Sequence, residues 1–208
     1  TLQNGVGNEA ILRRYFGETH TAAGVTSEGA TFLGPGSIRH AGKGPTHLCM
    51  SDKNNKRLAP LVRELTNAGF EADVEENIEN LIWSKLIINI GINALTALTG
   101  LQNGKLLDYP ETKTLIKELV EEAVQVVAAK GFQLTYENPV EMVYTVCEKT
   151  AGNRSSMLQD FDRGSRSEID FINYAVVREG EKLQVPMPVN KTVSLLIKTL
   201  DGMHMQRQ

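Results

Sequence analysis

Lys85, Asn89 and Asn93 stand four residues apart in the stretch Trp83-Ser84-Lys85-Leu86-Ile87-Ile88-Asn89-Ile90-Gly91-Ile92-Asn93. Nearly every other position there is apolar. At ~100° per residue, such spacing gathers the three side chains within about 80° on one helix face. A polar stripe on an otherwise apolar helix faces something other than bulk water. One amine and two carboxamides converging there can grip a small anion or a carbonyl. The plainer alternative is a lysine that snorkels to solvent and asparagines that serve buried helix contacts.

Other polar groups follow in the chain. Leu101-Gln102-Asn103-Gly104 can return a fourth polar side chain to the end of that helix, or supply a simple turn asparagine before glycine. Asn153-Arg154-Ser155-Ser156-Met157-Leu158-Gln159-Asp160 reads as a helix start with serine caps. It also reads as a loop of hydroxyls and amides that holds a carboxylate, and the two are compatible because a helix N-terminus favours anions. Glu168 has the pattern of a first-turn acid. Gly5-Val6-Gly7-Asn8-Glu9-Ala10 matches a loose GxGxx[GA] phosphate-loop pattern. With only four residues ahead of it and a meander-like region after it, a turn opening a helix is the better account. None of the four histidines has a partner at metal-ligand spacing, and His204 falls in the C-terminal tail. No Ser-His-Asp order or carboxylate pair stands out, so no metal is expected.

The elements that must position these groups divide near residue 76. The first part is α/β. A helix is expected over 8–17 with Asn8 as its cap, then strands of a meander through residue 50, broken at Gly34-Pro35-Gly36 and Gly42-Lys43-Gly44-Pro45. A helix follows from Asn55 to Gly69, with Leu58, Leu61, Val62 and Leu65 on one face, and then a strand over 70–75. The second part is helical: 81–98, 112–129, 139–150, 168–182 and 189–200, punctuated by Pro110, Gly131, Pro186 and Pro188.

The 208 residues carry a net charge of −3, with the cations scattered rather than clustered. That argues against a nucleic-acid surface. No apolar run of ~18 residues escapes interruption by Lys or Asn, so no membrane span is expected. Cys49 and Cys147 are far apart and read as free thiols of a reducing, cytoplasmic compartment. The start, Thr1-Leu2-Gln3-Asn4-Gly5, reads as a strand end entering a turn, as in a fragment.

Taken together, Gln3-Asn4-Gly5, the Trp83/Lys85/Asn89/Asn93 helix, Asn103-Gly104, Ser155-Ser156-Met157-Leu158-Gln159-Asp160 and Glu168-Ile169-Asp170 with Asn173 resemble the ketopantoate reductase (2-dehydropantoate 2-reductase) family. The resemblance covers nearly the whole chain in the family's order. It implies an α/β remnant of a Rossmann domain over 1–76. An all-α substrate-binding and dimerisation domain follows over 77–208, like the C-terminal domain of 6-phosphogluconate dehydrogenase. The family's Gly-rich loop and first strands have no counterpart here, so NADP(H) rests on the family alone.

The implied reaction is NADPH-dependent reduction of 2-dehydropantoate to (R)-pantoate in pantothenate biosynthesis. Lys85 matches the family's general acid. Asn89, Asn93, Asn103, Asn153, Arg154, Ser155 and Ser156 match substrate contacts. Asn4, Ala30 and Glu168 match cofactor contacts. The expected partners are a small 2-oxo acid and, through the helical domain, a second copy of the chain. Two alternatives remain: a paralogue acting on another branched 2-oxo acid, and a non-catalytic helical association module or inert remnant.

Overall fold

The structure is a computed structural model that describes residues 1–205, with side chains through Met203. The side chain of His204 lies outside the described residues. Two compact units are distinct: an α/β unit of Thr1–Gln3 and Gly7–Ile82, and a helical unit of Asn4–Val6 and the chain from Trp83 on.

In the α/β unit, α1 spans Asn8–Phe16. Its cap is Gly7 in the left-handed region rather than the Asn8 side chain, so Asn8 is already the first helical residue. The strands are β1 (Ala22–Thr26), β2 (Gly29–Gly34), β3 (Ser37–Gly42) and β4 (Thr46–Met50); α2 (Ala59–Asn67) and β5 (Ala72–Val74) follow. The expected meander is not formed. β4 pairs antiparallel with β1 and parallel with β5, while β2 and β3 make a separate hairpin between β1 and β4. Alternation marks strands but not their partners, which is why the sequence reading missed this. Leu58 is buried and Val62 and Leu65 pack on it, but Leu61 is 48% exposed, so the expected α2 face is narrower by one residue.

The helical unit is built on α3 (Ile78–Thr99), whose first turn counts with the α/β unit. A 3-10 turn over Asn103–Asp108 leads to α4 (Pro110–Ala129), α5 (Pro139–Lys149) and α6 (Ser156–Asp162). Then come α7 (Asn173–Leu183) and α8 (Pro188–Met205). Pro110, Pro139 and Pro188 each open a helix, where the missing N–H costs nothing. The expected single helix from Glu168 is instead broken. Ile169–Phe171 forms a 3-10 turn, and Ile172 at φ −108°, ψ −101° resets the chain before α7. Glu168 therefore precedes a 3-10 turn and is not a first-turn acid of a long helix.

Leu86, Ile87, Ile90 and Leu95 of α3 are buried with Ile116, Leu119 and Val120 of α4 and with Ile197 of α8. Each such side chain contributes roughly 1.5–3 kcal/mol on burial. Among the described residues, α3 is the one helix long and apolar enough to cross a membrane, yet 61% of its apolar window is buried inside the protein. Its greasiness serves a core.

One polar knot lies within that core. Both Glu122 oxygens accept hydrogen bonds from the start of α8: Oε1 from Val189 N at 2.8 Å, Oε2 from Asn190 N at 2.9 Å and from Asn190 Nδ2 at 2.8 Å. Asn190 Nδ2 also donates to the Leu119 carbonyl, and Asn173 Nδ2 donates to Asn190 Oδ1 and to the Ile90 carbonyl. The carboxylate thus satisfies N–H groups that a helix start leaves orphaned, at the end of α8 that favours negative charge.

Candidate active site

The stripe on α3 runs from a partly accessible end at Lys85 and Asn89 to a buried end at Asn93. Asn93 is 5% exposed, and its Nδ2 donates to Ser156 Oγ at 3.3 Å. Lys85 and Asn89 are half-buried. Asn89 Nδ2 is buried without a protein acceptor, an arrangement that costs free energy unless a ligand or water completes it.

Lys85 and Glu168 influence one another across this face. Burial pushes the Lys85 amine below its ordinary value of 10.5, and the Glu168 charge partly opposes that. Burial pushes the Glu168 carboxyl above its ordinary 4.5; the Asn4 hydrogen bond opposes the rise, Asp160 adds to it and Lys85 counters it. Burial outweighs the carboxylate, so the Lys85 ammonium is a proton donor of reduced pKa.

Asn4 reaches Glu168 because the 4–6 segment docks on the chain after it. Asn4 Nδ2 donates to Glu168 Oε2 at 3.2 Å, and Val6 N donates to the Phe171 carbonyl at 2.9 Å. Gly5 sits at φ +86°, and a Cβ there would collide with the Phe171 carbonyl. The glycine of the loose phosphate-loop pattern is required by this close approach.

The other expected residues are placed by paired loops and a helix cap. Asn103 N donates to the Asn153 carbonyl at 3.0 Å, and Gly104 N to the Ala151 carbonyl at 3.2 Å. A Cβ on Gly104 would press on Ala151. Asn103 is buried; its Nδ2 donates to Thr150 Oγ1 at 2.9 Å while its Oδ1 has no partner. Ser155 caps α6, its Oγ accepting from Leu158 N at 3.1 Å. The exposed Arg154 guanidinium is held by both oxygens of Asp162, at 2.7 and 2.6 Å. Asn153 is exposed. Ala30 belongs to the other unit, where it is exposed on β2 opposite His40. The helical unit thus holds two groups of polar contacts along the α3 stripe: Lys85, Glu168 and Asn4 in one, Asn93 and Ser156 in the other.

Thr96 was not singled out from the sequence. It is fully buried, and its hydroxyl meets Ser155 Oγ at 2.6 Å. Eleven residues after Lys85, it falls within the same ~80° arc, so extending the stripe by one turn finds it. Among the described residues, no group of three or more His, Cys, Asp or Glu is placed to hold a metal ion.

Comparison with known proteins agrees along the chain. Residues 77–201 match the family model described as ketopantoate reductase PanE/ApbA C terminal, and residues 1–53 match ketopantoate reductase PanE/ApbA. The 2-dehydropantoate 2-reductase of Archaeoglobus fulgidus is 37% identical over 97% of this chain and 67% of its own length. That of Halobacterium salinarum is 35% identical over 95% and 65%. Among solved structures, a PanE/ApbA family ketopantoate reductase from Ralstonia eutropha JMP134 superposes with TM-score 0.87 at 31% identity, covering 99% of this chain and 67% of that one. D-mandelate dehydrogenase with NADH and anilino(oxo)acetate superposes with TM-score 0.86 at 26% identity, covering 98% and 67%. The chain spans about two thirds of the length of these relatives. It belongs to the ketopantoate reductase family.

Proposed function

We propose that this chain binds and protonates the substrate in an NADP(H)-dependent 2-dehydropantoate 2-reductase, which reduces the 2-oxo acid to (R)-pantoate in pantothenate biosynthesis. The observation that carries the reading is the α3 face. A half-buried amine of lowered pKa feels the Glu168 charge, and a carboxamide donor on the same stripe lacks a protein acceptor. A 2-oxo carboxylate offers acceptors for both.

As the carbonyl carbon is reduced, negative charge builds on its oxygen. Lys85 stabilises that oxygen as an ammonium and then gives it a proton, and the lowered pKa eases the transfer. Asn89, Asn93 and Asn103 orient the hydroxyl and carboxylate ends of the substrate. Ser156, at the start of α6, faces the carboxylate, where the helix end favours an anion. A nicotinamide cofactor supplies the hydride when bound. Asn4, Ala30 and Glu168 are the residues assigned to hold it. A half-buried carboxylate such as Glu168 suits ribose hydroxyls, which are donors. The helical domain over 77–208 is assigned substrate binding and homodimer formation, and the enzyme is assigned to the cytoplasm.

Asn93→Ala tests the reading. In the full-length protein it should weaken 2-dehydropantoate binding by roughly tenfold and leave NADPH binding unchanged. Equal losses for both ligands would remove Asn93 from the substrate. A second reading, another 2-oxo acid on the same scaffold, is favoured by the likeness to D-mandelate dehydrogenase with anilino(oxo)acetate. A panel of 2-oxo acids separates the two by kcat/KM.

A further inference from the structure

Two hydroxyls between α3 and α6 account for more than a helix cap. Thr96 Oγ1 donates to the Asn93 carbonyl at 2.9 Å. Ser155 Oγ accepts from Leu158 N at 3.1 Å. The two hydroxyl oxygens are 2.6 Å apart. A carbonyl cannot donate, so the Thr96 proton is committed to Asn93. The short contact is then made by the Ser155 proton, which Thr96 Oγ1 accepts. Every hydrogen in the chain Leu158 N–H, Ser155 O–H, Thr96 O–H is used once, and the chain ends on the backbone of Asn93. Both residues are buried, Thr96 completely, so water does not compete.

The consequence concerns Ser156. It follows Ser155 directly and receives the Asn93 side chain at 3.3 Å. Asn93 is therefore tied to the start of α6 twice: by its carboxamide to Ser156, and by its carbonyl through Thr96 to Ser155. We propose that Thr96 and Ser155 are positioning residues that set Ser156 and Asn93 in register for the substrate carboxylate. Ser155 accordingly acts through the cap and not as a substrate ligand. The inference rests on the reading of Asn93 and Ser156 as substrate contacts.

The test is a set of single variants of the full-length protein saturated with NADP+, so that no hydride is transferred, with 2-dehydropantoate binding measured by calorimetry and NADPH affinity measured separately without the oxo acid. Thr96→Val keeps the shape and removes the relay; Thr96→Ser keeps the relay. Thr96→Val should weaken the oxo acid by roughly tenfold, leave NADPH affinity unchanged and move KM rather than kcat, and Thr96→Ser should restore native affinity. Should Thr96→Val lose thermal stability alone and keep native affinity, while Asn93→Ala loses it, the positioning role is overturned and the underlying reading stands. A native protein that binds no oxo acid, or an Asn93→Ala variant that binds as the native does, overturns the reading and the positioning role together. If Thr96→Val fails to fold, Ser155→Ala replaces it, with the same split between oxo acid and NADPH affinity expected.

Discussion

Two polar clusters touch α3, and they differ in how far they are open to a ligand. The knot of Glu122, Asn173 and Asn190 ties α4, α7 and α8 to α3. Both Glu122 oxygens and both sides of the Asn190 carboxamide are hydrogen-bonded, while Asn173, fully buried, uses its Nδ2 and leaves its Oδ1 without a protein partner. The stripe of Lys85, Asn89 and Asn93 is half-buried at two of its three positions and leaves Asn89 Nδ2 without a protein acceptor. Buried polar groups that close on each other hold helices together. Those left open in a partly accessible face are arranged for something not part of the fold. By that criterion the same helix serves packing through the first cluster and, on the proposed reading, chemistry through the second.

The largest expected effect breaks the closed cluster. Glu122→Leu removes the acceptor of three donors, two of them buried, and should cost about 3 kcal/mol of unfolding free energy, read by chemical denaturation. Activity per folded molecule should persist. A loss below about 1 kcal/mol would show that the knot is not what secures α8.

A smaller effect separates the clusters by pH. Glu168 has a folded pKa above 4.5, so its ionised form costs stability. That cost is absent in acid and appears as pH rises through the folded value. Glu168→Gln should therefore melt above the native protein at neutral pH, and the gap should close below pH 4.5. A gap constant with pH would remove burial of this carboxylate as its cause. The smallest effect is at Asn89. Asn89→Leu removes an unpartnered donor and should leave stability unchanged or raise it by about 0.5 kcal/mol while weakening oxo-acid binding. A clear loss of stability would place Asn89 with the structural asparagines.

The contrast was only half legible in the sequence. The stripe obeys the helical period, so Lys85, Asn89 and Asn93 announce a shared face within one short stretch. The Ser155 cap was legible for the same local reason. Glu122 looks like any helix-surface acid, because the donors it serves at Val189 and Asn190 lie 67 and 68 residues away. Distance in the chain also hid the pairing of β1 with β4 across the hairpin and the docking of Gly5 on Phe171. The break at Ile172 is a backbone choice that an apolar pattern continuing through Phe171 and Ile172 does not signal. Local periodicity carries faces and caps; it does not carry partners.

The central claim is that the Lys85 amine is the acid. Its direct test is the pH profile of kcat/KM for NADPH-dependent reduction of 2-dehydropantoate by the full-length native protein and by Lys85→Met. Since burial lowers the amine, the protonated donor is lost as pH rises through a value below the ordinary 10.5. The native protein should show that basic limb, and Lys85→Met should lose it together with on the order of 10²-fold of its rate. The same limb and the same rate in both proteins would contradict the account.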